Sequence, residues 1–303
     1  MNLNPEVYIH GGTQKSYYNE NEVTNYNCPY CNTYNVEPIY KERGNLIIGR
    51  CKKCGLIYTS TGTKEPEKIY WGNSDLYFEE GRLIFLGKAN HHRDKNYLHD
   101  LKILQRYKPN GKFLDIGTNM GFFLRHAKNM GWDVLGIEPS PGLSKLGQKY
   151  FNLNIINDFF ENVNLPDNTF DIITMTDVFE HIRNPKEILQ KAKSLLKQDG
   201  IIFIKVPNVN FNLLKLSVLK KLKKESAYDI FDSYEHVVHY NLHTLEKMLS
   251  SSGFKIIKKL IDPPVQIPVW HFYVGHYYLY DTPFCLDIKH YTFILYSSIR
   301  IYV

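Results

Sequence analysis

The sequence predicts an α/β fold in which a mostly parallel sheet is covered by helices on both faces, preceded by a small cysteine-rich ribbon. Three observations predict it. From residue 111 onward, short apolar runs alternate with amphipathic helical stretches, a glycine turn follows the first of these runs, and four cysteines form two CxxC pairs near the N-terminus. The expected divisions are a lead-in and ribbon at 1–62, a helical connector at 63–110, the α/β domain at 111–262 with a lid insertion at 208–234, and a C-terminal extension at 263–303.

The composition is that of an ordinary globular protein. Of 303 residues, 43% are hydrophobic and 22% are charged. The first residues lack the basic and apolar segments of a signal peptide, and no stretch approaches the roughly 18 apolar residues of a membrane span. We therefore expect a cytoplasmic protein without a membrane span. The net charge of +6 suits an anionic partner and does not require nucleic acid.

The two CxxC pairs predict a structural zinc site. Cys28 and Cys31 form the first pair, Cys51 and Cys54 the second, and residues 32–50 separate them, which is the spacing of a zinc ribbon. Each pair can turn two thiolates toward one tetrahedral ion, and a closed four-sulfur site stabilises the fold without performing chemistry. The alternative is two redox or disulfide pairs, which a cytoplasmic location and the doubled motif disfavour.

Each element of the α/β domain follows from hydrophobic periodicity. In the connector, leucines and a tyrosine recur at helical spacing up to Tyr107. Because strands and helices then alternate with short connections, the sheet is expected to be mostly parallel and covered on both faces. The predicted strands are 113–116, 133–138, 154–157, 171–177, 201–207 and 255–261. The predicted helices are 119–130, 141–151, 185–197 and 243–252.

The segment FLDIGTNMG, residues 113–121, predicts a ligand-binding turn. A short apolar strand containing Asp115 breaks at Gly117, and a helical pattern begins after Gly121. Gly117 lets the turn adopt backbone angles that other residues disfavour, and Gly121 lets the backbone and a ligand approach closely. This is how an α/β fold holds a nucleotide-like ligand at the carboxyl ends of its strands.

Two further features fall at the same edge. Glu138 closes the second strand, where its carboxylate can accept hydrogen bonds from both ribose hydroxyls, and Asp158 and Phe159 follow the third, where they can meet an adenine. Glu138 has an alternative role as the acid at the N-terminus of the helix that Pro139 to Pro141 opens. A dehydrogenase with a nicotinamide cofactor fits less well, because the turn lacks the GxGxxG spacing.

In these motifs, residues 95–260 resemble class I S-adenosylmethionine-dependent methyltransferases. Asn119 stands where that family commonly has a central glycine, and asparagine tolerates a left-handed backbone. The resemblance implies a Rossmann-like sheet and S-adenosylmethionine as cofactor. It is carried by FLDIGTNMG as the glycine-rich motif, GIEPS as the ribose-binding turn, NTFDIITMTDVFEHIRNP as the fourth-strand motif, QDGIIFIKVPN as the fifth strand and YEHVVHYNLHTLEKMLSSSGFKII leading into the sixth. The cofactor-binding residues expected are Asp115, Gly117, Asn119, Gly121, Glu138, Asp158, Phe159 and Asp177.

Two Glu–His pairs are the predicted catalytic residues. A hydroxyl or carbon-acid acceptor must lose a proton near neutral pH, and a histidine or a tuned carboxylate beside it can take that proton. Glu180 and His181 follow the fourth strand, whereas Glu235 and His236 lie in the region that closes over the acceptor in similar enzymes. We expect His236 to be the general base, with Glu235 orienting it or binding substrate, and His181 to be the second candidate. Because adjacent residues face different ways, the members of one pair are not expected to contact each other.

The insertion contains a lysine-rich amphipathic helix, predicted at 209–226. Its leucines alternate with lysines along the whole segment. Three interpretations are open: a solvated face at the active-site rim, a lid that recognises an anionic substrate, or contact with a membrane surface.

The ribbon, the methyltransferase-like domain and the second Glu–His pair together resemble methyltransferases of sugar and natural-product pathways, particularly sugar C-methyltransferases acting on nucleotide-linked deoxyketosugars. That group carries a tyrosine two residues before the Glu–His pair, whereas here Ser233 stands there and Tyr234 is adjacent. It also has a large further domain, whereas here about 40 residues follow 262. We therefore expect O- or C-methylation of a small acceptor, a sugar or a nucleotide-linked sugar.

Two other functions remain open on the sequence. An RNA methyltransferase would use the ribbon and the lysine-rich helix to hold the phosphate backbone, and it would require a concentrated basic surface. A catalytically idle ribbon-containing binding module would have no need of the glycine turn together with Glu138. We expect a small-molecule acceptor and no nucleic acid as partner.

Overall fold

The computed structural model of the chain describes residues 22–64, 81–91, 93–224, 229–262 and 298–302. The strands are β1 Val23–Asn25, β2 Val36–Glu42, β3 Leu46–Cys51, β4 Ile57–Thr59, β5 Thr61–Thr63, β6 Lys112–Ile116, β7 Asp133–Ile137, β8 Ile155–Ile156, β9 Phe170–Thr176, β10 Leu196–Pro207, β11 Val238–His239, β12 Lys258–Asp262 and β13 Ser298–Tyr302. The helices are α1 Asp94–Tyr107, α2 Phe122–Asn129, α3 Pro141–Phe151, α4 Pro185–Leu195, α5 Val209–Lys221 and α6 Leu242–Ser251.

Within the described part of the chain, seven strands form one sheet in the order β12, β13, β10, β9, β6, β7, β8. Strands β6 to β10 pair in parallel, whereas β13 runs antiparallel to both β10 and β12. The strand order reverses beside β6, and the loops that leave the carboxyl ends of the parallel strands meet at this point. The predicted Rossmann-like, mostly parallel sheet is confirmed.

Helices cover both faces of the sheet. Ile172 and Ile173 are adjacent in β9 and fully buried, and they belong to different core clusters because successive side chains of a strand point to opposite faces. Leu101 of α1 packs in the first of these clusters together with residues of α2 and α3. Leu189 of α4 packs in the second together with residues of α6. The carboxyl edge of the sheet is therefore held between two packed layers.

The N-terminal ribbon is built into this core. Strands β11, β4, β3 and β2 form a second sheet in that order, and β1 pairs with β5. Cys28, Cys51 and Tyr58 of the ribbon are buried in the same cluster as the strands and helices of the large sheet. A third cluster joins Ile48 of the ribbon to Leu216 of α5. The ribbon thus shares its packing with the larger domain.

Several element boundaries differ from the sequence prediction, and β10, for example, begins at Leu196 rather than at 201. Helix α2 begins at Phe122 rather than at 119, because Gly121 adopts a left-handed conformation that a helix cannot continue through. Helix α5 ends at Lys221 rather than at 226, and β12 begins at Lys258 rather than at 255. The C-terminal extension contributes β13 to the sheet. Residues 263–297 of this extension and residues 1–21 of the lead-in lie outside the described part of the chain. Within the described ranges, no helix combines the length and apolar character needed to cross a membrane.

Candidate active site

The turn after β6 passes through three residues with left-handed backbone angles. The φ values are 69° at Gly117, 54° at Asn119 and 84° at Gly121. A Cβ atom on Gly117 would lie 2.4 Å from Cγ2 of Val178, and one on Gly121 would lie 2.2 Å from Cδ1 of Leu153. Only glycine fits these two positions, while Asn119 takes the conformation that asparagine tolerates.

Glu138 connects this turn to the next loop. Its Oε2 accepts a hydrogen bond from the Asn119 backbone N at 2.7 Å, and its Oε1 accepts one from the Ser140 N at 2.9 Å. The N-cap of α3 is Ser140, whose Oγ accepts from Leu143 N, so the helix does not need Glu138 as its capping acid. Burial raises the pKa of Glu138 to about 7. A carboxylate offers about four acceptor sites, so roughly two remain for ribose hydroxyls.

The other expected acidic residues of the cofactor side are engaged locally. Asp115 is buried, its Oδ1 accepts from Thr174 Oγ1 at 2.6 Å, and burial raises its pKa to about 6. After β8, Asp158 Oδ1 accepts from the Phe159 N at 2.7 Å and from Asn162 Nδ2 at 2.8 Å. Asp115 therefore ties β6 to β9 beneath the turn, and Asp158 closes the loop that presents Phe159.

Asp177 lies at the end of β9 and forms an ion pair with Arg93, which immediately precedes α1. Its φ of 55° is left-handed, so the backbone turns sharply toward the 3-10 helix Phe179–His181. Burial acts to raise the pKa of Asp177, but the Arg93 guanidinium holds it below its usual value. The connector therefore supplies a cation to the carboxyl edge of the sheet.

The two predicted Glu–His pairs lie next to each other, and the histidine of each pair lies near the glutamate of the other. His236 Nε2 lies 4.0 Å from Glu180 Oε1, and His181 Nδ1 lies 3.0 Å from the Glu235 carbonyl oxygen. The His181 and His236 rings stand edge to face, with their centroids 4.9 Å apart. Glu180, His181 and His236 thus form a single Glu–His cluster at the loop that follows β9.

Burial determines the electrostatics of this cluster. Glu180 is 2% exposed, and neither of its carboxylate oxygens has a hydrogen-bond partner among the described residues. Burial, and then the negative charge of Asp177, raise the pKa of Glu180 well above its usual value. Burial lowers the pKa of His181. A carbonyl only accepts, so His181 Nδ1 carries the proton and the Nε2 lone pair of the neutral ring stays available. The His236 side chain is 23% exposed.

Glu42, at the end of ribbon strand β2, holds the loop that leads to His236. Its carboxylate is buried and accepts hydrogen bonds from the backbone N of Phe231 and, at 2.9 Å, from that of Ser233. Burial raises the pKa of Glu42, against the lowering effect of these two bonds. One ribbon side chain thus accepts hydrogen bonds from both of these backbone N–H groups.

Thr59, at the end of ribbon strand β4, holds His236 itself. Thr59 Oγ1 donates to the His236 carbonyl oxygen at 3.0 Å, so the His239 Nε2–H, also at 3.0 Å, donates to that hydroxyl. Val237 O accepts from the Thr59 N, and the Val237 N donates to the Glu180 O at 2.9 Å. Burial lowers the pKa of His239 to about 3, so this histidine is a neutral link between ribbon and loop.

The four cysteines of the two CxxC pairs meet in the ribbon. The Sγ atoms of Cys28 and Cys54 lie 3.4 Å apart, and those of Cys31 and Cys51 lie 3.5 Å apart. All four are free cysteines, and these separations exceed the roughly 2.05 Å of a disulfide bond. Zn–S bonds of about 2.3 Å in a tetrahedron place the sulfurs about 3.8 Å apart, so the four thiols fit a zinc ion.

The two CxxC turns have the same backbone geometry. The Asn32 N donates to the Cys28 O, and the Gly55 N donates to the Cys51 O, both at 2.8 Å. Asn32 and Gly55 are both left-handed, with φ of 53° and 80°. This repeated turn directs both thiols of each pair to one point.

Sequence reasoning did not single out Glu42, Thr59 or Arg93. A charged residue in a strand is ordinarily exposed, and nothing in the spacing of Glu42 or Thr59 relates it to a segment that lies far along the chain. Arg93 carries one weak signal, since it stands at the start of the predicted connector helix.

Comparison with known proteins gives three kinds of match. A family model described as a methyltransferase domain matches residues 89–259. The chain is 29% identical over 185 residues to an uncharacterized protein of Methanocaldococcus jannaschii, covering 61% of this chain and 78% of that protein. It is 32% identical over 115 residues to the ubiquinone biosynthesis O-methyltransferase of Glaesserella parasuis, a match that spans 33% of this chain and 49% of that enzyme.

Solved structures of similar proteins include two S-adenosylmethionine-dependent methyltransferases. One is from Thermotoga maritima, with a TM-score of 0.47 and 18% identity over 75% of this chain and 94% of the other. The second is from Archaeoglobus fulgidus, with a TM-score of 0.46 and 18% identity over 69% of this chain and 93% of the other.

Proposed function

The chain belongs to the methyltransferase domain family, and from this premise we propose that it methylates a hydroxyl oxygen of a small-molecule acceptor, a sugar or a nucleotide-linked sugar. The observation that carries the proposal is the Glu–His cluster beside the loop after β9, on the other side of β6 from Glu138. One edge of the sheet then has a ribose-binding carboxylate and, next to it, side chains that can remove an acceptor proton.

The cofactor side of this edge fits S-adenosylmethionine. Glu138 has acceptor sites left for two ribose hydroxyls, and Gly117 and Gly121 let the backbone of the turn pack closely against Val178 and Leu153. We expect Asp158 and Phe159 to contact the adenine. When bound, S-adenosylmethionine supplies an electrophilic methyl group on a positively charged sulfur. Positioning the two reactants can contribute up to roughly 7–11 kcal/mol.

The acceptor side is the Glu–His cluster. A sugar hydroxyl is too weak an acid to ionise unaided at neutral pH, so the cluster must promote loss of its proton. His181 and His236 are both partly exposed, whereas Glu180 is buried, so the two histidines are the side chains of the cluster that an acceptor can reach. Glu235 orients His181 through its backbone carbonyl. The relative named as a ubiquinone biosynthesis O-methyltransferase supports an oxygen acceptor.

We assign a structural zinc ion to the four cysteines of the ribbon. Three or more close thiols with no open position are typical of structural zinc sites. The ion would hold β3 and the turns beside it, and through Glu42 and Thr59 it would support the loop that carries His236.

Calorimetric titration with S-adenosylhomocysteine tests the cofactor assignment. The wild-type chain should bind with a stoichiometry of one, and Glu138→Ala should bind far more weakly while retaining its circular dichroism spectrum. Methyl transfer from labelled S-adenosylmethionine to nucleotide sugars, free sugars, catechols and RNA then ranks the acceptors. Failure of a folded protein to bind S-adenosylhomocysteine, or transfer to RNA alone, would overturn the proposal.

A further inference from the structure

The Glu–His cluster has the composition of a metal site. Glu180, His181 and His236 each offer one ligand atom, and these atoms all lie within 4.8 Å of one another. Two imidazoles and one carboxylate are a common ligand set for divalent first-row metals, and three protein ligands leave positions open for substrate. We propose that the cluster binds a divalent metal ion, and that this ion binds two adjacent oxygens of the acceptor. The acceptor is then a vicinal diol, which a sugar ring offers.

The strongest observation in support of a metal ion is that the Glu180 carboxylate is buried without hydrogen-bond donors. Its side chain is 2% exposed, and within the described residues neither carboxylate oxygen receives a hydrogen bond. Burying a carboxylate without donors is costly, and buried carboxylates are usually paired or coordinate a metal. A cation between Glu180 and the histidines supplies what both oxygens lack.

Hydrogen bonds hold both histidines in place as possible metal ligands. His181 donates through Nδ1 to the Glu235 carbonyl at 3.0 Å, which leaves Nε2 as the atom with the lone pair. A ligating histidine characteristically donates its other ring N–H to such a carbonyl, which fixes its tautomer and orientation. His236 is held through its backbone by Thr59, and the Val237 N bonds to the Glu180 O, so the two ligand-bearing segments are fastened together.

The ligand atoms, which lie within 4.8 Å of one another, must move closer together to bind one ion. Metal–ligand bonds of about 2.0–2.2 Å bring ligand atoms within about 3–3.5 Å of one another. Glu180 Oε1 and His236 Nε2 are 4.0 Å apart, and rotation of the partly exposed His236 side chain can shorten that separation. The site differs from the cysteine site of the ribbon in the chemical softness of its ligand atoms and in having positions open to substrate. Thiolates favour zinc, whereas imidazole and carboxylate also accept manganese or iron.

This inference rests on the proposed function and names its acceptor class. Two adjacent acceptor oxygens can occupy neighbouring positions on the ion, and the positive charge makes the bound hydroxyl more acidic. The hydroxyl loses its proton to solvent, and its oxygen forms the new bond to the methyl carbon. The carbon–sulfur bond breaks, and its electron pair remains on sulfur. His236 then acts as a ligand, and solvent replaces it as the proton acceptor.

Manganese binding tests the site directly. Mn²⁺ is titrated into the full chain with zinc retained in its cysteine site, and free Mn²⁺ is measured by electron paramagnetic resonance. We expect one site per chain, weakened more than about tenfold by Glu180→Gln and by His236→Asn. The matched controls Glu187→Gln and His243→Asn, at exposed positions of α4 and α6, should bind like the wild type. Absence of the site, or equal binding by all four variants, would overturn the proposal.

The acceptor class is tested with coloured phenols. With Mn²⁺ bound, 4-nitrocatechol should show a chelation shift in its absorbance that 4-nitrophenol does not show and that Glu180→Gln abolishes. Equal behaviour of the two phenols would overturn the diol assignment. S-adenosylhomocysteine binding, measured on the same variants, should be unchanged. Loss of that binding in the wild type, with Mn²⁺ binding intact, would count against the proposed function and leave the metal site standing.

Discussion

Glu180 Oε1 and His236 Nε2 lie 4.0 Å apart, although α4, β10 and α5 separate the two residues in the chain. Glu180 is followed directly by a histidine, and His236 is preceded directly by a glutamate. Nevertheless, Glu180 and His236, which belong to different pairs, lie near each other. Adjacent side chains on a turn or strand point in different directions, so two Glu–His dipeptides that face each other pair crosswise. The cluster therefore exists only when the loop after β9 and the segment before β11 are both in place.

Removing either member of this contact should slow methyl transfer without releasing the cofactor. Glu180→Gln and His236→Asn are expected to lower the rate of transfer by about 10²- to 10⁴-fold, because each removes a group that promotes deprotonation. S-adenosylhomocysteine affinity should remain within about twofold. Steady-state kinetics on the acceptor found by screening, together with calorimetry, checks both. Transfer at the wild-type rate in either variant would contradict an acceptor-side role for the cluster.

Glu42→Gln should loosen the loop that carries His236. A glutamine has one acceptor oxygen where Glu42 uses two, so one backbone donor of Phe231 or Ser233 is left buried and unsatisfied. The free energy of unfolding should fall by about 1–3 kcal/mol, and amide hydrogen exchange of 231–239 should accelerate. Glu37→Gln, at an exposed position of the same strand, is the matched control and should change neither quantity.

Loss of the ribbon metal should destabilise the whole chain in one transition. Cys28 and Cys51 are buried in the same core as the large sheet, so the ribbon has no separate core to unfold. Cys51→Ser should lose its zinc by elemental analysis and lower the single melting temperature measured by calorimetry. Cys285→Ser, which lies outside the CxxC pairs, should keep its zinc. Two separated melting transitions in Cys51→Ser would show that the ribbon folds independently.

Cofactor binding should weaken as the pH falls below neutrality. Burial raises the pKa of Glu138 to about 7, and the ionised carboxylate is the form that accepts hydrogen bonds from ribose hydroxyls. Below pH 7 the carboxyl is increasingly protonated, so S-adenosylhomocysteine affinity should fall by up to about tenfold per pH unit. Glu138→Gln should bind more weakly and lose most of this dependence in calorimetry at pH 5.5–8.5. An identical pH profile in the variant would exclude Glu138 as its source.

The sequence predicts those parts of the fold that local patterns specify. The periodicity places α3 at Pro141–Phe151 without error, because Ser140 and Pro141 mark its start and a clear amphipathic pattern follows. In the turn after β6 the sequence indicates the unusual backbone of Gly117 and a tolerated left-handed Asn119, but it places the start of the helix at 119, three residues before Phe122. Such features depend on neighbours within a few residues.

The acceptor side could not be predicted to the same degree, because it depends on contacts distant in the chain. The ribbon reaches His236 through β11, which pairs with β4, and no local pattern indicates that pairing.

Helix α5 is another element whose packing could not be predicted from local patterns. It buries Val209, Leu216 and Leu219 but leaves Leu214 and Val218 about half exposed, so its apolar residues are distributed over both sides. Periodicity alone does not reveal which face packs.

The position of β13 has a consequence for the nascent chain. Residues 298–302 pair with β10 on one side and β12 on the other, and among the described residues β12 has no other neighbour in the sheet. During translation, β10 and β12 both leave the ribosome before the strand that joins them. Until β13 emerges, the edge of β10 remains a row of unpaired backbone groups, a hazard for aggregation. The final packing of this half of the molecule therefore takes place after synthesis of Tyr302.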